Sequence, residues 1–192
     1  MEVVRTTRET DVRVSLDRAD GIPDRSAGGI MTTVPFLDHM LTAFAYHGGF
    51  DLAVSAQGDT PVDDHHTVED VGIVLGQAFR ALAGPDMAVA RFAHDVVAMD
   101  DARAATTIDV SGRAYLVFEG TFAQNHAGRF DLALVREFFQ GLVGQAAITL
   151  HLEIQAGING HHQAEALFKS AGRAFGAAYT PAAEARSTKG SL

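Results

Sequence analysis

The chain has 192 residues, 47% of them hydrophobic, enough for one large core or two small ones packed together. It has no cysteine, so disulfides and thiolate metal sites are excluded, and a net charge of −9 argues against nonspecific nucleic-acid binding. No apolar run approaches a membrane span and the start M-E-V-V-R-T-T-R lacks a signal's apolar core, so a cytoplasmic protein is expected.

The first element is V-R-V-S-L at 12–16, whose alternation predicts a strand. A second strand is expected around Ile30–Val34. From Phe36 to Phe44 the apolar residues take helical spacing, and L-A-V-S-A at 52–56 alternates again, with one further short strand possible beyond Leu52. A helix then starts near His65, capped by Asp63 or Asp64. The order repeats after Gly84–Pro85. T-I-D-V-S at 107–111 and Tyr115–Phe118 read as strands, Leu134–Leu142 as a helix and L-H-L-E-I at 150–154 as a strand. A last helix is capped by Asn159 or Gly160.

The repetition extends to particular residues. Gly76, Ala78, Phe79 and Ala81 recur 96 positions on as Gly172, Ala174, Phe175 and Ala177. Phe44 and Leu52 face Leu142 and Leu150 at 98, and Val12, Val14 and Ser15 match Ile108, Val110 and Ser111 at 96. The expected fold class is α+β, a tandem duplication (about 1–84 and 85–180) in which each half is a sheet with helices on one face. A tail follows from 181 to 192.

The chemistry lies in a doublet that occurs twice, D-H-H-T-V-E-D at 64–70 and G-H-H-Q-A-E-A at 160–166. Helical positions three and four apart share a face, so each unit can aim imidazole and carboxylate at common points. That is a transition-metal ligand set. Two related sites, or one built from both halves, are equally compatible with it. His39 starts the first helix, and Glu137 stands at its duplicate. The candidate ligands are therefore His39, His65, His66, Glu69, Glu137, His161, His162 and Glu165. Nitrogen and oxygen donors without sulfur suit Mn, Fe, Co, Ni or Zn. His94, His126 and His151 have no duplicate and are read as surface or strand-packing residues. Basic residues are scarce. Lys169 follows Glu165 by one turn, Arg91 and Arg113 flank the second half's first strand, and S-T-K-G (187–190) lies in the tail. Such groups suit a phosphate. A dinuclear hydrolase and a metal-linked structural assembly are the rival readings.

F-L-D-H-M-L (36–41), H-G-G-F-D-L (47–52), D-D-H-H-T-V-E-D-V (63–71), D-V-S-G-R-A-Y-L (109–116), H-H-x-x-E-A-x-F-K (161–169) and S-T-K-G together resemble the imidazoleglycerol-phosphate dehydratase family. The match runs from Arg5 to the C-terminus. The resemblance implies a fold of two ferredoxin-like, ribosomal-S5-domain-2-like half-domains. It implies dehydration of D-erythro-imidazole-glycerol phosphate to imidazole-acetol phosphate in histidine biosynthesis. It also implies two Mn²⁺ ions per subunit, no organic cofactor, and a homo-oligomeric 24-subunit shell.

The seven histidine and glutamate positions other than Glu137 match the family's metal ligands, and Glu137 stands where many members have histidine. Glu9 matches a residue close to the substrate ring, and Asp100 an active-site acid. His47, Arg91, Arg113, Lys169, Ser187 and Lys189 complete the expected substrate and phosphate set. Ala43, Ala93, Ile158, Gln163 and Ala164 depart from the family's pattern. The expected route passes through a metal-bound imidazolate and a diazafulvene-like intermediate, with Glu165 or Glu69 as general base and Glu9 and Asp100 as helpers.

Overall fold

A computed structural model describes residues 1–21 and 29–184. The first half runs β1 (Glu2–Thr6), β2 (Thr10–Arg18), β3 (Ile30–Met31), α1 (Pro35–Gly48), β4 (Phe50–Gly58) and α2 (His65–Ala83). The second runs β5 (Phe92–Met99), β6 (Ala102–Asp109), β7 (Tyr115–Glu119), a small hairpin of β8 (His126–Ala127) and β9 (Phe130–Asp131), α3 (Leu134–Ala146), β10 (Thr149–Ala156) and α4 (Gly160–Ala178).

The two four-stranded sheets have the same order, β1-β2-β4-β3 and β5-β6-β10-β7. In each the last strand is parallel to its neighbour and the others are antiparallel. The duplication expected from sequence is therefore present, with two corrections. The additional strand of each half lies at its start, as β1 and β5, and not after Leu52. The offset for the second strand is also wrong. Val14 pairs with Val54, and Thr106 pairs with Leu152. Val14 is thus equivalent to Thr106, 92 positions on, rather than to Val110. An alternating strand matches itself at every even shift, so its pattern cannot distinguish 92 from 96.

The helices of each half cover one face of its sheet and pair with those of the other half, α1 against α4 and α2 against α3. Inward positions on β2 (Val12, Val14, Leu16) and β6 (Ala104, Ile108) are buried, and a single apolar cluster runs through both halves. Phe44, Phe79 and Phe175 meet near its centre, with ring centroids 4.9 to 5.9 Å apart.

Glycine sets how closely the helices cross. A Cβ on Gly172 would fall on the Phe44 carbonyl oxygen, and one on Gly76 would fall on that of Leu142. These are the same contact in the two halves, which explains why both glycines recur in the sequence. Gly49 ends α1 in the left-handed region at φ 70°, where its two N–H bonds to Ala45 and Tyr46 close the helix and turn the chain into β4.

Candidate metal centre

Two helix starts build the site. Pro35 opens α1, and Asp38 Oδ1 accepts from the Thr32 N–H at 2.8 Å, fixing the entry loop. His39 follows within the first turns. At the start of α4, Asn159 Oδ1 accepts from the N–H of His161 at 3.0 Å and of His162 at 3.5 Å, the cap expected from sequence. On α2, Asp64 makes no side-chain cap, and Asp63 accepts from the His65 N–H at 2.9 Å instead.

His39, His161 and Glu165 converge. Nε2 of each histidine lies 3.2 Å from Glu165 Oε2, and the rings are 5.6 Å apart. Lys169 Nζ, one turn on, binds the other oxygen, Oε1, at 2.8 Å, so the carboxylate presents Oε2 to the imidazoles. The Glu165 side chain is only 10% exposed. Burial alone would raise its pKa, but the hydrogen bond and charge of Lys169, with the bond to His39, outweigh it and hold the pKa below the ordinary value. Two imidazoles and a carboxylate within 4.8 Å of one another fit a divalent transition ion.

The first doublet is looser. His65 Nε2 is 3.7 Å from Glu69 Oε2, and Ile73 stands where α4 has Lys169. Among the described residues, Glu137 joins no group of three ligand-type side chains. It borders a cavity with Arg136, His126 and Asp131. Glu69 therefore has no lysine at the position that serves Glu165.

The second histidine of each doublet faces elsewhere, because adjacent helical residues do not share a face. The rings within a doublet are nearly perpendicular, at 83° and 85°. His66 Nδ1 meets Asp59 at 3.0 Å and Glu9 at 3.8 Å. His162 Nδ1 meets Asp101 at 2.6 Å, while its Nε2 is 3.7 Å from Asp100. The hydrogen bond from Asp59 raises the His66 pKa, and that from Asp101 raises that of His162.

Asp101 is held down to about 2, chiefly by His162 and then by the N–H groups of Ile158 and Asn159. Glu9 and Asp101 occupy equivalent places in the β1–β2 and β5–β6 turns, since Thr10 and Ala102 both open the strand that follows. Arg5 and Thr10 both bind Asp70, one turn after His66, which seats the first of these turns over that ring. Asp100 takes a left-handed φ of 48° in the second turn.

Among the described residues, the expected phosphate set is not gathered in one place. Arg91 (φ 76°) bonds through its N–H to the Ala178 carbonyl, at the far end of α4, and its guanidinium pairs with Asp109 at 2.7 Å. By helix rise, Ala178 is about 25 Å from His161. Arg113 lies in the loop after β6 and bonds to the Ser111 carbonyl at 3.4 Å. His47, near the end of α1, has its pKa lowered by burial and then by the charges of Lys169 and Arg173. Ser187 and Lys189 lie outside the described residues. His94, His126 and His151 are exposed, as expected.

Three residues at the site were not anticipated. Asp59 and Asp101 come from turns, and their only signal is an acidic residue beside a strand end. Arg129, in the β8–β9 turn, borders a cavity of about 550 Å³ shared with His39 and one of about 440 Å³ shared with His65. Nothing in its sequence setting marked it.

A family model described as imidazoleglycerol-phosphate dehydratase matches residues 32–175. The enzyme of that name from Burkholderia vietnamiensis is 49% identical over 195 residues, covering all of this chain and 98% of that one. The crystal structure of imidazoleglycerol-phosphate dehydratase from Staphylococcus aureus superposes with a TM-score of 0.81 at 37% identity, covering 94% of this chain and 99% of that one. The Pyrococcus furiosus structure, in complex with (S)-C348, gives 0.86 at 35% identity over 99% of this chain and all of that one. With its doubled histidine motif, its duplicated sheets and this agreement along its length, the chain belongs to the imidazoleglycerol-phosphate dehydratase family, hydro-lyases of histidine biosynthesis.

Proposed function

We propose that the chain dehydrates D-erythro-imidazole-glycerol phosphate to imidazole-acetol phosphate with the help of Mn²⁺. The observation that carries the metal dependence is the convergence of His39, His161 and Glu165 on one point. His39, His161 and Glu165 would hold one ion, and His65, Glu69 and Glu137 are the equivalent donors for another. A divalent ion there supplies Lewis acidity, easing loss of the ring N–H proton from a bound imidazole.

The chemical difficulty is a carbon-bound proton with no neighbouring carbonyl. The ring-adjacent carbon loses its hydroxyl, driven by electrons from the imidazole ring, and the next carbinol carbon loses its proton to a carboxylate. The resulting enol takes a proton at the ring-adjacent carbon and gives up its hydroxyl proton, becoming the ketone.

Glu165 is engaged by Lys169 and two histidines, with its pKa depressed. It therefore serves better as an anionic ligand than as the base. Asp101 is likewise committed to His162 and two backbone N–H groups. Glu9, 3.8 Å from His66 and mostly exposed, keeps its carboxylate available for the carbon-bound proton. Asp100, one residue before the structural equivalent of Glu9 and 3.7 Å from His162 Nε2, is the free carboxylate of the corresponding turn.

A second copy of the chain completes each site. His66 and His162 face away from the cluster, and Arg91 and Arg113 belong to the end remote from it, so one chain cannot grip ring and phosphate together. Arg91, Arg113, Lys169, Ser187 and Lys189 are the groups assigned to the phosphate.

The test is to incubate metal-stripped protein with imidazole-glycerol phosphate, with and without Mn²⁺. Imidazole-acetol phosphate formed only with Mn²⁺ is the expected result. Equal turnover without metal would sink the metal-dependent reading, and free phosphate would indicate hydrolysis instead.

A further inference from the structure

The second histidines repeat an arrangement that the His39–His161–Glu165 cluster does not use. Each meets a carboxylate from outside its own helix, and each does so through the same ring atom. His66 Nδ1 lies 3.0 and 3.2 Å from the two oxygens of Asp59, and His162 Nδ1 lies 2.6 Å from Asp101.

The partners are not duplicates of each other. Asp59 follows β4, whereas the residue that follows β10 is Gly157, which has no side chain to offer. Asp101 sits in the β5–β6 turn, whereas its counterpart Glu9 stands 3.8 Å from His66, beyond hydrogen-bond range. The two halves reach the same ring contact from different elements. An incidental surface pair has no reason to recur in that way. A histidine that donates Nδ1–H to a carboxylate exposes a bare Nε2 lone pair in a fixed direction.

We infer that Asp59 and Asp101 are positioning residues that hold His66 and His162 as Nδ1–H tautomers, so that each presents Nε2 to a metal ion completed by another copy. This rests on the metal-dependent reading above. Asp101 has a further task, since its Oδ2 accepts from the N–H of Ile158 at 2.6 Å and of Asn159 at 3.0 Å and so steadies the start of α4. Asp59 carries no such second bond among the described residues, which makes it the cleaner position to change.

The experiment is Mn²⁺ titration of the metal-stripped full chain by electron paramagnetic resonance, paired with ring-nitrogen NMR of ¹⁵N-histidine-labelled protein above the histidine titration range. Asp59→Ala is expected to weaken one class of Mn²⁺ by about 10- to 100-fold and to move one ring from Nδ1–H to a tautomer mixture. Asp59→Asn, whose amide oxygen still accepts from Nδ1–H, should stay closer to wild type and keeps the test open if the alanine variant misfolds. Asp101→Ala should weaken Mn²⁺ binding to a similar degree. Unchanged Mn²⁺ affinity and an unchanged ring spectrum in Asp59→Ala overturn the inference. Wild-type protein that takes up no Mn²⁺ overturns the metal reading instead, and the two failures are distinguished by that control.

Discussion

Helices α2 and α4 begin with the same doublet, yet only on α4 does the doublet's glutamate close on its first histidine. His161 and Glu165 approach to 3.2 Å, whereas His65 and Glu69 stay at 3.7 Å. The difference lies one turn further along, where α4 has Lys169 and α2 has Ile73. The lysine takes one oxygen of Glu165 and leaves the other for the histidines. The residue 98 positions apart on the partner helices differs too, His39 on α1 beside α4 and Glu137 on α3 beside α2. A repeated motif therefore does not guarantee a repeated spacing within one chain.

The largest way to break this comparison is at Glu165. Glu165→Gln removes the anionic ligand and should lower turnover of imidazole-glycerol phosphate by more than the about 10- to 100-fold that loss of an outer-shell partner of a metal costs. Its unfolding midpoint by circular dichroism should stay within a few degrees of wild type. Wild-type turnover would remove Glu165 from the site.

A change at the helix crossings should be smaller and symmetric. Gly172→Ala and Gly76→Ala each place a methyl against a backbone carbonyl, Phe44 in one half and Leu142 in the other. Each should cost about 1–3 kcal/mol in urea unfolding, the usual cost of overpacking. A clear difference between the two would mean that the halves do not share the packing burden.

The smallest effect is one of pH. In the metal-free chain the lowered Glu165 pKa contributes stability that is full above the ordinary carboxylate range and lost as pH falls through the lowered value. Lys169→Met leaves burial as the leading influence, which raises the pKa and reverses the sign. The stability gap between wild type and Lys169→Met should be widest near pH 7 and shrink toward pH 4. A gap independent of pH would show that Lys169 does not act through Glu165.

Much of this was legible in the residues. The helices announced themselves because apolar spacing fixes a face, and His39, His161 and Glu165 sit at helix starts that the pattern located. The register of β2 against β6 was not legible, because alternation has no landmark within it. Ile73 stands at the duplicate of Lys169 in the sequence, but only the structure shows that Lys169 takes one oxygen of Glu165. Asp101 lies 61 residues from the ring it holds, and only the β5–β6 turn brings them together. Arg91 was noted for its charge, while the α4 length that separates it from the cluster emerges only in three dimensions.

The contact of Gly172 with the Phe44 carbonyl has a consequence well away from it. His39 lies five residues before Phe44 on α1, and His161 lies eleven before Gly172 on α4. The crossing is the fulcrum of two levers whose tips are the proposed metal donors. A methyl at that fulcrum would part the tips, since close-packed interiors transmit strain rather than absorb it. The tolerance of the metal site is thus machined in the apolar core, and a change that looks like a simple matter of packing would be felt as a loss of chemical aim.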